Sequence, residues 1–358
     1  MFKPLEFYKP DLAKTIKETE KTIANARKHQ GGNISFRALP PSDVDFYEKM
    51  NLLEYEFPQD NKRYAKDLCS LLEKSFHARR DVDDNFIPVI TPNLGIGDYS
   101  AFVAGEIIFQ KDTSWSQPVL KEVNDYQKLP PLGTAKWYGL FLEIIEEILK
   151  ISGPSGIPFS RGFFSPLDLA HALRGEAIFF DFYDNPDEVK QLIDFCADAT
   201  IKFASEIHKV IKKYLKNSKY GLFYTEGLIN MSEDIACMIS GEQYQEFCAP
   251  FTQKVIDHFG DGHMHTHSRS MYLVKEICSL NNVVNLWLPT DPNAPKPIEH
   301  GEQLALDSRG ANLAIDCENF QEIVDNFASF KAGNFSITLP VKDIAEAKLY
   351  TAKFKQLK

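Results

Sequence analysis

The sequence predicts an α/β protein built on a parallel sheet, and three observations carry that prediction. Beyond residue 85, short apolar strand-like runs alternate with amphipathic helical runs, a pattern that implies parallel strands joined by right-handed crossovers. The chain has 358 residues, 44% hydrophobic and 25% charged, an ordinary globular balance with ample apolar surface to bury. No G-x-G-x-x-G follows a strand and opens a helix, and the lone Gly95-Ile96-Gly97 is weak support for a dinucleotide fold. A closed barrel and an open doubly wound sheet both satisfy the alternation.

Each element follows from local signals. Residues 10–30 read as a charged helix started by Pro10-Asp11, striped by Leu12, Ile16 and Ile23, and stopped by Gly31-Gly32. Residues 31–58, with Pro40-Pro41, read as a loop plus a short helix. Residues 60–80 carry Tyr64, Leu68, Leu71, Leu72 and Phe76 at helical spacing. The character changes at Asp81–Asn85, so residues 1–84 are expected to form a helical extension packed on a body spanning 85–358. Phe86–Ile90 is then the expected first strand of the body, followed by the loop TPNLGIGDYS. Helices are expected over 140–150, over 166–175 with Gly175 as C-cap, and over 185–215 with Asn185 as N-cap and Pro186 in the first turn. Ile157-Pro158-Phe159 reads as an edge strand. Tyr220–Tyr224 reads as a strand ending in Thr225-Glu226-Gly227. A helix over 241–257, the strand HMHTHS, a helix over 271–280 and the strand Val283–Leu288 follow. The chain closes with a helical turn at 303–306, a strand at 312–315, a helix at 320–330, a strand at 335–339 and a last helix.

Charge and cysteine content narrow the setting. The net charge of −10 repels polyphosphate, so nucleic acid is an unsuitable partner. No Lys/Arg run suits an anionic membrane surface, and no stretch approaches the ~18 apolar residues of a membrane span. The N-terminus lacks the apolar core of a signal peptide. Cys69, Cys196, Cys237, Cys248, Cys278 and Cys317 are scattered without a C-x-x-C pair, which reads as buried free thiols in a reducing compartment. A cytoplasmic protein is the expectation, with a homodimer as the ordinary assembly.

The strongest chemical signal is Gly262-His263-Met264-His265-Thr266-His267-Ser268. Residues two apart on a strand share a face, so His263, His265 and His267 line one side. At the C-terminal rim of a barrel, His265 and His267 would converge where a metal can sit, and a neutral imidazole is the commonest protein metal ligand. Histidines that only position substrate satisfy the same spacing. Glu226 and Asp291 follow strands, where barrel enzymes carry their active-site groups. Glu226 is a candidate third ligand or general base, while Asp291 also suits an Asx turn. The acidic pair in Ser232-Glu233-Asp234-Ile235 reads as favouring a helix N-terminus. The expected catalytic set is thus His265, His267, Glu226 and Asp291. The expected substrate-lining set is Asp98, Trp115, His171, Tyr224 and His263.

Several segments in order resemble the uroporphyrinogen decarboxylase superfamily. They are PVITPNLGIGDYSAFVAG (88–105) with Asp112-Thr113-Ser114-Trp115, PLDLAHALRGEAIFFDFYDNPDEVKQLIDFC (166–196), ISGEQYQEFCAPF (239–251) and HMHTHSRS. In the second of these the family pattern is helix, "RG", acidic strand, then helix. The resemblance covers about residues 85–350 and implies a TIM-type (β/α)8 barrel. It also implies one of two chemistries, tetrapyrrole decarboxylation or cobamide-dependent methyl transfer. In the second, zinc on an H-x-C pair and a later cysteine activates a thiol. The sequence departs from the decarboxylases. The loop TPNLGIGDYS has no arginine, His171 stands where they carry tyrosine, and their late histidine has no match in ITLPVKD. It departs from the methyltransferases too. His265 matches their ligand histidine, His267 replaces the cysteine, and GNFSITLPVK lacks the late cysteine, with Cys317 too early. A metal set of His265, His267 and Glu226 would be harder in character. The resemblance therefore favours methyl transfer, with zinc and a corrinoid protein or small methylated compound. A carboxy-lyase for a tetrapyrrole-like or small acid, and a non-catalytic barrel that binds a tetrapyrrole or corrinoid, are the alternatives.

Overall fold

The computed structural model describes residues 5–8, 12–43, 49–215 and 227–357. Among them, seven strands form one sheet in the order β1-β9-β8-β7-β6-β5-β4, with every pairing parallel. The strands are β1 Asn33–Leu39, β4 Phe163–Phe164, β5 Leu228–Ser232, β6 Asp261–His265, β7 Val283–Leu288, β8 Asn312–Asp316 and β9 Asn334–Pro340. A separate antiparallel pair, β2 Ile107–Phe109 and β3 Ser114–Ser116, lies outside it. The expected mixed α/β class with a parallel sheet is what forms.

Two-residue periodicity sorts the strand side chains. Ile34, Phe36 and Ala38 of β1 are buried, and Phe36 stacks on Phe354 of the last helix at 4.9 Å and meets Phe320 edge-on. Phe335, Ile337 and Leu339 of β9 and Leu313 and Ile315 of β8 belong to the same core. The opposite face is polar. Asn33, Asn334, Asn312, Asn285, His263 and Asn230 occupy one register row across six neighbouring strands. Part of this row is hydrogen-bonded in sequence. Asn285 Nδ2 donates to His263 Nε2 at 3.3 Å, Asn312 Nδ2 to Asn285 Oδ1 at 2.6 Å, and Ser336 Oγ to Asn312 Oδ1 at 3.1 Å. Buried amides with such partners avoid the cost of lost hydration. The next row towards the strand C-termini holds Ser35, Ser336, Ala314, Trp287, His265 and Ser232.

Three expectations need correction, and a fourth falls on residues outside those described. Residues 33–39, read as part of a loop and placed in the helical extension, form β1 and pair along their whole length with β9. The sheet therefore recruits a strand from residues 1–84. Phe86–Ile90 is not a regular strand, since it makes one isolated parallel bridge, Ile90 to Phe159. Pro88 and Pro158 lack the N–H groups that a longer ladder would use. Regular pairing on that side falls instead at Phe163–Phe164. Ile178–Asp184, the acidic strand of the family pattern, is a helix. The strand expected at Tyr220–Tyr224 lies outside the described residues, while β5 at Leu228–Ser232 was not anticipated.

The segment 85–90 nevertheless bonds to β1 on one side and to residues 158–160 on the other. Asn85 N donates to Phe36 O at 3.0 Å, Ile90 N to Pro158 O at 2.8 Å, and Ser160 N to Ile90 O at 3.0 Å. At the other pole, the helix Leu12–Arg27 packs Ala26 on Leu228 and Val284, and Arg27 pairs with Asp261 at 2.8 Å. This helix covers the N-terminal ends of β5–β7, opposite to where β6 delivers His265. The 29-residue helix Pro186–Tyr214 starts where expected, with Asp187 and Glu188 in its first turn and Lys212 and Lys213 in its last, as its dipole favours. Gly175 ends the helix Pro166–Arg174 at φ 76°, a conformation costly for residues with a Cβ. No helix among the described residues is long and apolar enough to cross a membrane.

Candidate metal centre

The C-terminal ends of β5, β6 and β7 bring four side chains together. β6 ends at His265, and the chain stays extended to His267, so both rings emerge on one side. Thr266 N donates to Trp287 O and Ser268 N to Pro289 O, each at 3.0 Å, which continues the pairing with β7 beyond the regular ladder. On the other side Glu233 N donates to His265 O at 2.7 Å and directs Asp234 over the same point.

The result is a triangle of donor atoms. His265 Nε2 lies 3.2 Å from His267 Nε2 and 3.4 Å from Asp234 Oδ1, and His267 Nε2 lies 3.7 Å from Asp234 Oδ1. A tetrahedral zinc with bonds of about 2.0–2.1 Å has its ligands about 3.3–3.4 Å apart. The triangle already approximates one face of that tetrahedron. Asp234 Oδ1 is buried and takes no hydrogen bond from the described residues, an arrangement that a cation would satisfy. His267 remains 39% exposed and Asp234 37%, so the triangle opens to solvent on one side, as catalytic metal sites do.

The surroundings fix His267 in the required form. His267 Nδ1 donates to Asp291 Oδ1 at 2.8 Å, which leaves the Nε2 lone pair facing the triangle. Asp291 is itself held by Ser268 Oγ, which accepts from its backbone N–H at 2.9 Å, and by Arg269 N, which donates to its carboxylate at 3.3 Å. The His265 ring packs against Trp287 at 4.4 Å. Burial, then the neighbouring His267 and His263 rings, push its pKa down to about 3, so it is neutral at ordinary pH. Burial and the nearby Glu233 and Asp291 raise Asp234. Burial raises the enclosed Asp168 and Glu233, with Asp234 adding to the rise of Asp168 and Asp168 to that of Glu233. A divalent cation at the triangle would favour the ionised form of Asp234 against these effects.

The expected site residues divide sharply. His265, His267 and Asp291 meet. His263 lies two residues below, buried and bonded to Asn285 rather than in the triangle. Asp98 is buried against Arg161, 2.7 Å away, inside a ring of Tyr99, Phe141, Phe163 and Phe203. His171 faces Glu176 at 3.3 Å and packs on Phe179. Trp115 sits half-exposed on β3 opposite Ile108. Glu226 and Tyr224 lie outside the described residues. Asp234 was read as favouring a helix N-terminus, but its side chain makes no cap bond and points to the histidines instead. The missed signal was the apolar run Leu228–Ser232, which makes Asp234 a residue just past a strand end.

No known family profile matches the chain. A stretch of 140 residues, 39% of this chain, is 26% identical to the methylcobamide:CoM methyltransferase MtbA of Methanosarcina acetivorans. That stretch spans 38% of the relative's length. The whole fold resembles a methyltransferase from Methanosarcina mazei with a TM-score of 0.60, covering 94% of this chain and 99% of that one at 12% identity. The chain thus shares the fold of one methyltransferase and is distantly similar in sequence to a cobamide-dependent one.

Proposed function

We propose that this protein is a metal-dependent methyltransferase that takes a methyl group from a methylcobamide, presented by a corrinoid protein, and passes it to a small nucleophile. We further propose that residues 85–90 complete a closed (β/α) barrel of the uroporphyrinogen decarboxylase type, with the reaction at its C-terminal rim. The observation that carries the reading is the donor triangle of Asp234, His265 and His267 on a fold shared with a methyltransferase. The partial similarity to a methylcobamide:CoM methyltransferase supplies the class of donor.

The chain's own residues have definite tasks in this scheme. His265, His267 and Asp234 would hold the ion, with Asp291 keeping His267 in the tautomer that offers Nε2. Bound zinc supplies a Lewis acid that lowers the pKa of an acceptor S–H or O–H. Trp287, half-exposed beside His265, offers a flat apolar wall to the acceptor and screens one side of it from water. Two imidazoles and one carboxylate form a harder set than thiolates, so a bound nucleophile is acidified more and its intrinsic reactivity enhanced less. Decarboxylation of a multiply carboxylated acid is disfavoured, because the substrate would face Asp234 and Asp291 at the rim.

The test is demethylation of free methylcobalamin by the purified protein, followed by absorbance, with CoM and then other small thiols and alcohols as acceptors. Wild type is expected to turn over with at least one acceptor and His265→Ala to lose turnover. Equal rates in wild type, His265→Ala and buffer would contradict the proposal, as would release of carbon dioxide from a candidate acid.

A further inference from the structure

We propose that Asp168 is a positioning residue whose buried carboxylate holds the turn that aims Asp234 at His265 and His267. The inference rests on the metal-site reading above and concerns how that site is kept in shape. Asp168 lies in the first turn of the helix Pro166–Arg174, where a carboxylate would ordinarily serve its own helix. Here the helix is capped without it, since Ser165 Oγ accepts from Asp168 N at 3.1 Å. The Asp168 side chain reaches across to the end of β5. Its Oδ2 accepts from Ser232 Oγ at 2.6 Å and from Asp234 N at 2.9 Å, and its Oδ1 accepts from Ile235 N at 3.0 Å.

All three donors lie within four consecutive residues, and Asp234 is among them. Both carboxylate oxygens are used, and Asp168 is 2% exposed, so water does not readily replace it. The same turn is gripped from its other side. Glu233 Oε1 accepts from Tyr244 OH at 3.1 Å and from Thr252 Oγ1 at 2.7 Å, and Thr266 Oγ1 donates to Glu233 O at 3.0 Å. With the backbone of 232–235 fixed at these points, Asp234 has little freedom except its own side-chain rotation. A ligand held by such outer contacts binds metal more tightly than a free one. An amide at position 168 would keep the size but offer one acceptor oxygen for three donors, and its NH2 would confront a backbone N–H.

The experiment titrates the full chain with Co(II) chloride, following the visible absorption of the bound ion, with Zn(II) in competition. Wild type, Asp168→Asn and Ser232→Ala are compared, with melting in excess EDTA as the check on folding. We expect Asp168→Asn to weaken Co(II) binding about ten- to a hundredfold and to change the Co(II) spectrum, because Asp234 no longer reaches the ion. A purely structural role would lower the melting temperature and leave affinity and spectrum alone in the folded protein, which overturns the proposal. If Asp168→Asn does not fold, Ser232→Ala decides. It removes one of the three bonds, and a several-fold loss of affinity supports the proposal while unchanged affinity overturns it. A wild type that binds neither ion overturns the metal-site reading itself, and this assignment of Asp168 with it.

Discussion

His267 shows how a single side chain is prepared for its task. The 2.8 Å bond to Asp291 selects one tautomer, and the strand geometry supplies the direction. Asp291→Ala is therefore expected to keep the fold and lose about ten- to a hundredfold in zinc affinity, measured by chelator competition. An unchanged affinity would remove Asp291 from the site. The cysteines give an independent check. Burial pushes Cys69 and Cys278 up to about 12 and raises Cys196 and Cys248 as well, so none offers a thiolate near neutral pH. Cys237 is also raised but is half-buried. Iodoacetamide on native protein is expected to label Cys237 first, with the others following only after denaturation, as read by peptide mass spectrometry. The alternating histidines were legible because strand periodicity is local. Asp234 and Asp168 were not, since their partners lie 31 to 67 positions away in the chain, distances that no local pattern encodes.

At the scale of elements, β1 shows which signals mislead. Asn33–Leu39 alternates polar and apolar residues as a half-buried strand should, yet Gly31-Gly32 and Pro40-Pro41 around it read as loop. The strand forms because its apolar face has a partner, the aromatic cluster of Phe36, Phe320 and Phe354. Phe36→Ala is expected to cost about 3–5 kcal/mol in urea unfolding, and a loss below 1 kcal/mol would mean that β1 contributes little to the core. Arg79 ties the neighbouring helix to the same edge. It is buried with Asp43 and Asp84, and Asp84 also accepts from Ala38 N at 2.9 Å. Arg79→Met removes the cation beside Asp84 and leaves Asp43 with Arg37 at 3.4 Å, and is expected to cost about 3–5 kcal/mol, measured the same way. The helices Pro166–Arg174 and Pro186–Tyr214 were legible because Gly175 and Pro186 act locally, although Asn185, expected as an N-cap, makes no side-chain cap bond and Ser165 was not anticipated as one.

For the whole molecule, the polar row of asparagines is the unexpected feature. Buried sheet faces are commonly filled by branched apolar side chains, whereas Asn312, Asn285 and His263 here form a hydrogen-bonded chain across three strands. It runs one register row below His265 and links the site to the sheet. The sequence alternation disclosed the class of sheet but left the choice between barrel and open sheet to contacts between distant segments. The segment 85–90 makes two such distant contacts, Asn85 with Phe36 and Ile90 with Phe159, without forming a regular strand. The proposed metal site is assembled by the sheet's C-terminal edge from Asp234, His265 and His267. The most direct test is elemental analysis of wild type and of Asp234→Ala, His265→Ala and His267→Ala after equilibration with zinc and removal of the excess. About one zinc per wild-type chain is expected, with a marked loss in each variant. A metal-free wild type, or full zinc retention in Asp234→Ala, would contradict this assignment.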